Sequence, residues 1–140
     1  MPLMNTRLRM MLAIPVALAA MALLASGCGS SKPDYCSNVS DLEGSIAEIK
    51  GIELESGAIS TLQTDLEKVK TNADAVVSSA MQDFPSETSA LRSSVSGLSA
   101  TVNQLPSTPT PQQLLPLESG IASTVAAAQE LSNATESACE

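Results

Sequence analysis

The chain has 140 residues, with seven basic against fifteen acidic side chains, no His, no Trp, one Tyr and one Phe. Its net charge of −8 argues against nucleic acid as a partner, because such binding draws its affinity from cationic contacts to phosphate. The absence of His removes the commonest general base and the commonest metal ligand, so no cofactor is expected and a His-based hydrolase is excluded.

Arg7 and Arg9 precede an uncharged apolar run over 10–24, which closes on the small residues Ala25, Ser26 and Gly27. This is the layout of an export signal. A spanning helix needs about 20 apolar residues, whereas this run is shorter, contains Pro15 and leads into Gly and Ser instead of a basic cluster. An uncleaved anchor is therefore disfavoured. Leu24-Ala25-Ser26-Gly27-Cys28 resembles the lipobox of bacterial lipoproteins, with Ala25 where Leu is usual. The resemblance implies removal of residues 1–27 as a signal peptide, attachment of diacylglycerol to the Cys28 thiol, and acylation of the freed amine by a palmitate-like chain. It places the protein on the extracytoplasmic face of the cell membrane, held there by lipid. Ordinary signal peptidase could cut the same bond and release a soluble protein with a free Cys28. Cysteine arithmetic favours the lipoprotein: the chain has three cysteines, and lipidation of Cys28 leaves Cys36 and Cys139 as an even pair.

Residues 28–140 suffice for one small domain. All fifteen acids lie there against Lys32, Lys50, Lys68, Lys70 and Arg92, a net −10, so the body is repelled by anionic phospholipid and stands off the membrane. Residues 28–35 read as the acylated cysteine and a flexible tether, and 36–140 as the folded domain.

Val39, Leu42, Ile46 and Ile49 step by three and four and predict a first helix over 37–50. Gly51 to Gly57 interrupt the pattern, with Ile52 and Leu54 available to pack beneath the turn. Ile59, Leu62, Leu66, Val69, Ala73, Val76 and Ala80 predict a second helix over 58–83. Pro85 breaks it, and Leu91, Val95, Leu98, Val102 and Leu105 predict a third helix over 86–104. After the extended segment 106–111, Thr110, Pro111 and Gln113 have the pattern of a capping box and begin a fourth helix. Pro116 is expected to bend or restart that helix, after which Leu117, Ile121, Val125, Ala128, Leu131, Thr135 and Ala138 form its stripe.

The second and third stripes pair antiparallel, Ala80 with Leu91 through Leu66 with Leu105, each pair of numbers totalling 171. The first and fourth pair with totals of 177, from Val39 with Ala138 to Ile49 with Ala128. This register brings Cys36 and Cys139 to one end. The expected fold is all-α: an antiparallel up-down-up-down four-helix bundle, closed by a disulfide between its first and last helices. Metal ligation by the same two thiolates is the poorer alternative, since neither His nor a further cysteine completes a set. A matched internal stripe favours a monomer over a dimer.

Asp83 with Glu87, at a helix end and a helix start, and Glu53 with Glu55, in the first inter-helix loop, are carboxylate pairs and read as solvated surface. No arrangement in the sequence activates any of the many serines. Over 36–139 the chain is similar to a group of small exported actinobacterial proteins with Ser/Thr/Ala-rich helices and a terminal Cys pair, and that resemblance implies a helical fold and a cell-surface location. The functional expectation is a non-enzymatic, lipid-anchored interaction or spacer module of the cell envelope. Its partners would be the membrane, through Cys28, and another envelope protein. The alternatives are a carrier of a small apolar ligand between the helices and a surface-exclusion lipoprotein.

Overall fold

The computed structural model describes residues 32–54 and 57–140. The signal segment 1–27, Cys28, the tether up to residue 31, and Glu55 lie outside the described residues. Among the described residues there are four helices: α1 (Asp34–Lys50), α2 (Ile59–Ala80), α3 (Pro85–Gln104) and α4 (Pro111–Cys139). Each packs on the next and α4 returns to α1, while the diagonal pairs do not meet. That ring order is the up-down-up-down four-helix bundle.

The helix ends follow local chemistry. α1 starts at Asp34, three residues before the expected start at 37, because Tyr35 is also buried and Asp34 places an acid in the first turn. Pro85 and Pro111 each occupy the first helical position, where a missing N–H costs nothing. The Thr110 backbone N–H donates to Gln113 Oε1 at 2.9 Å, the return half of the expected capping box. Gly57 has φ +117°, the one positive φ among the described residues, and turns the connector into α2. Pro116 neither ends nor restarts α4, which continues through it to Cys139. Leu117, fully buried directly after it, holds this turn in the core, so packing overrides a local helix penalty of about 3 kcal/mol.

The core is a column of Leu, Ile, Val and Ala from all four helices. All seven positions of the α2 stripe are buried, as are Val39, Leu42, Ile46 and Ile49 on α1 and Leu91, Val95, Leu98 and Val102 on α3. Leu105, expected to complete the α3 layers, is only partly buried at the helix end. Each wholly buried Leu or Val contributes about 1.5–3 kcal/mol. Buried hydroxyls satisfy themselves within their own helices: Ser45 donates to Leu42 O, Thr88 to Phe84 O, Thr124 to Gly120 O and Thr135 to Ser132 O.

Two features differ from the sequence reading. The more extensive contacts are α1 with α2 and α3 with α4, whereas the expected α2/α3 pair is flanked by a groove. Small and polar groups explain this. Gly120 brings α4 so close to α3 that a methyl in its place would lie 3.2 Å from Leu98 Cδ1. On the other side, Asn72 Nδ2 donates to Asp41 O and Ser45 Oγ, and Asn38 Nδ2 to Ser79 Oγ, stitching α2 to α1. Second, the α4 stripe rotates. Thr124 and Ala127 are buried with Leu117, Ala128, Leu131 and Thr135, while Ile121 and Val125 are only partly buried and Ala138 is exposed. The α1/α4 register accordingly totals 175 at the Cys36–Cys139 bridge and at the Ser132–Glu43 hydrogen bond, two short of the expected value.

Candidate functional site

Cys36, in the first turn of α1, and Cys139, the last residue of α4, are joined by a disulfide with their Cα atoms 5.5 Å apart. Helix ends place them: α1 begins where α4 finishes, so the bridge closes the ring of helices. Next to it, Tyr35 and Phe84 meet edge to face, ring centroids 5.6 Å apart and planes at 86°. These are the chain's only aromatic residues, and both pack into this one end of the bundle. The sequence pattern missed the pair because each ring lies just outside a stripe; their position flanking the ends that Cys36 defines was the available signal.

Two hollows lie along the junction of α1 and α4. The one beside the disulfide has a volume of about 380 Å³ and a polar, acidic lining that includes Ser40, Glu43, Asn133, Glu136 and Glu140. Glu43 accepts a hydrogen bond from Ser132 Oγ across it. The other, of about 430 Å³, is mainly apolar, with Ile49, Ile52 and Leu54 facing Ile121 and Val125 beside Lys50 and Glu118. The reason is a mismatch of length. α1 has 17 residues and α4 has 29, a difference of roughly 18 Å at 1.5 Å per residue. Beyond Lys50, α4 is faced by the connector carrying Ile52 and Leu54 instead of by another helix turn. Leu115, 62 % exposed and seven residues before Ala122, extends the same flank of α4.

The opposite junction is mixed in character. Between α2 and α3 a groove of about 330 Å³ has an apolar floor of Ala73, Val77 and Val95, flanked by Lys70, Asp74 and Arg92. On the α1/α2 flank, the Lys68 ammonium lies 2.8 Å from Glu48 and 3.0 Å from Asp65. Hydrogen bonds to Glu48 and then Asp65 hold its pKa above the ordinary lysine value.

Of the residues singled out from the sequence, Cys36 and Cys139 are brought together, and Cys28 lies outside the described residues. Asp83 is exposed in the turn before α3, and Glu87 accepts from Ser86 Oγ on its first turn. Among the described residues no group of three or more His, Cys, Asp or Glu side chains is placed to hold a metal ion, and no helix is long and apolar enough to cross a membrane. The arrangement defines a class, a four-helix bundle closed end to end by a disulfide, with an acidic and an apolar hollow along its α1/α4 junction. Compared with protein-family models, with curated proteins and with solved structures, the chain matches none.

Proposed function

We propose that the protein is a lipid-anchored component of the cell envelope, held to the extracytoplasmic face of the membrane through Cys28, which acts as a non-enzymatic interaction or spacer module. The observation that carries this reading is the disulfide-closed end of the bundle. The tether from Cys28 joins α1 just before Cys36, and the bridge ties that point to α4. Tension from an anchor at Cys28 therefore passes into two helices at once. A bridge of this kind suits an oxidising compartment, in keeping with export. The acidic body supports a stand-off from anionic lipid. A chain without His, with its cysteines assigned to lipid and bridge, offers little to catalysis.

The test is crosslinking in intact cells with a C-terminally tagged chain, followed by mass spectrometry of bait and captured material. The expected bait begins at Cys28, carries acyl chains, and gains two mass units on reduction of one disulfide. An unacylated bait found in the medium refutes the anchor. The carrier reading is favoured by one observation, the apolar hollow at the α1/α4 junction, and it predicts saturable one-to-one binding of a fluorescent fatty acid.

A further inference from the structure

We infer that the two hollows along the α1/α4 junction act together as one cleft, a docking groove for a basic amphipathic helix of a partner protein, with apolar anchors at one end of that helix and cationic residues at the other. The inference deepens the interaction-module reading and rests on it.

The two halves of the cleft differ in what they ask of an occupant. Ile52, Leu54, Ile121 and Val125 leave partly buried apolar surface open to solvent, and water-exposed surface of this kind is stabilised by covering it. Nearer the bridge, Glu43, Glu136 and Glu140 line the same trough, all exposed. Val125 and Glu136 are eleven residues apart on one helix, roughly 16 Å. An occupant that fills both halves must therefore carry apolar groups and positive charge separated by about that distance, which an amphipathic helix of about three turns provides.

Charge decides the class of occupant. α1, the described part of its connector, and α4 with Glu140 carry nine acids and one cation, Lys50, whereas α2, α3 and the turn between them carry five acids and three cations. The cleft thus lies on the strongly negative half of a negative protein. A fatty acid would place its apolar chain in the far half, but its carboxylate finds there one cation, Lys50, set beside Glu118, and the other hollow presents three more carboxylates. A second copy of this chain would bring its own net charge of about −10 beyond residue 27 against the same surface. A cationic segment is attracted to the acidic hollow, where Glu43, Glu136 and Glu140 lie, and such complementarity raises the association rate as well as selecting the partner.

The test uses the exported, oxidised chain carrying Cys28→Ser, which removes acyl chains that would compete for apolar surface. The probe is a synthetic helical peptide of about 18 residues, roughly 27 Å long, with Leu at helical spacing in one half, Lys in the other and a single Trp. The protein contains no Trp, so the peptide's fluorescence reports binding alone. Saturable one-to-one binding is expected, weakened at least about tenfold by Ile121→Asp and separately by the pair Glu136→Lys and Glu140→Lys. The pair Glu67→Lys and Asp83→Lys makes the same change in net charge away from the cleft and is expected to alter affinity less than about twofold. Circular dichroism checks that each variant remains folded.

Equal weakening by the off-cleft pair would reduce the effect to net charge and overturn the site. Equal binding of a peptide with Glu in place of Lys would overturn the charge assignment, and affinity weaker than about 1 mM for the Lys peptide would overturn the groove. One-to-one displacement of the Lys peptide by palmitate, at lower concentration than the peptide itself requires, would assign the groove to a lipid. In cells, an acylated bait that crosslinks reproducibly to a partner through α2 or α3 would overturn the cleft while sustaining the interaction module; an acylated bait with no partner would count against both.

Discussion

Reducing the Cys36–Cys139 bridge, or replacing both cysteines by serine, is expected to cost this bundle a large part of its stability. The two cysteines are 103 positions apart, so the bridge closes a loop that contains nearly the whole domain. For a loop of about 104 residues the chain-entropy relation gives about 4.7 kcal/mol at 25 °C, through restriction of the unfolded chain. The unit Lys32–Glu140 unfolds with an entropy of roughly 0.23 kcal/mol/K at about 2.1 cal/mol/K per residue, so the full effect corresponds to a drop in Tm of about 20 °C. The extensive α1/α2 and α3/α4 contacts let those hairpins persist in part after reduction, which lowers the loss toward roughly 2–4 kcal/mol. The expected decrease in Tm is therefore about 10–20 °C. The assay is thermal circular dichroism of the oxidised protein, the protein with a phosphine reductant, and the double serine variant. The last two should coincide, because the effect belongs to the lost crosslink. A reduced protein melting within about 5 °C of the oxidised one would show that the α1 and α4 ends are held by packing around Tyr35 and Phe84, and the reasoning from loop closure would fail.

Gly44 and Gly97 sit on exposed helix faces where an added methyl meets nothing within 4 Å, so Gly44→Ala and Gly97→Ala should each stabilise by about 0.5–1 kcal/mol in urea titrations. Gly120→Ala gains the same helix propensity but presses a methyl against Leu98 in the core; its midpoint is expected to fall below both of the other alanine variants. Asn72→Ala removes the donor that ties α2 to Asp41 O and Ser45 Oγ at 3.0 and 3.1 Å, and a loss of about 1–2 kcal/mol is expected by chemical denaturation. A loss shared equally by Asn72→Ala and an Asn72→Ala/Ser45→Ala double variant would confirm that the two act as one contact. Pro116→Ala restores a backbone donor inside α4 and should raise the urea midpoint by an amount corresponding to about 1–3 kcal/mol, while an unchanged midpoint would mean that the helix has already adapted around the ring.

How much of this was legible in the sequence differs from helix to helix. The seven α2 positions and the four on α1 fall at helical spacing with polar residues between them, and every one is buried, since a single apolar stripe leaves a helix one way to face the core. On α4 the alanines blur that stripe. With Ala122, Ala126, Ala127 and Ala128 giving little contrast, Ile121 and Val125 read as core although Thr124 and Ala127 take the inward positions. A threonine can do so because its hydroxyl bonds to the carbonyl four residues earlier, leaving its methyl to pack. The apolar part of the cleft was hidden for the same reason, since it consists of residues that the pattern assigned to the interior.

The sequence by itself determined the four helices of the described residues, their breaks at the Gly51 turn, Pro85 and the proline-rich segment 106–111, and the meeting of Cys36 with Cys139, because periodicity, proline and chain parity act locally or through counting. Only the tertiary structure decided which pairs lie closest, the α1/α4 register and the course of the cleft. Those depend on the approach distances set by Gly120 and Asn72 and on the excess length of α4 over α1, quantities that arise only when helices of different lengths are packed side by side.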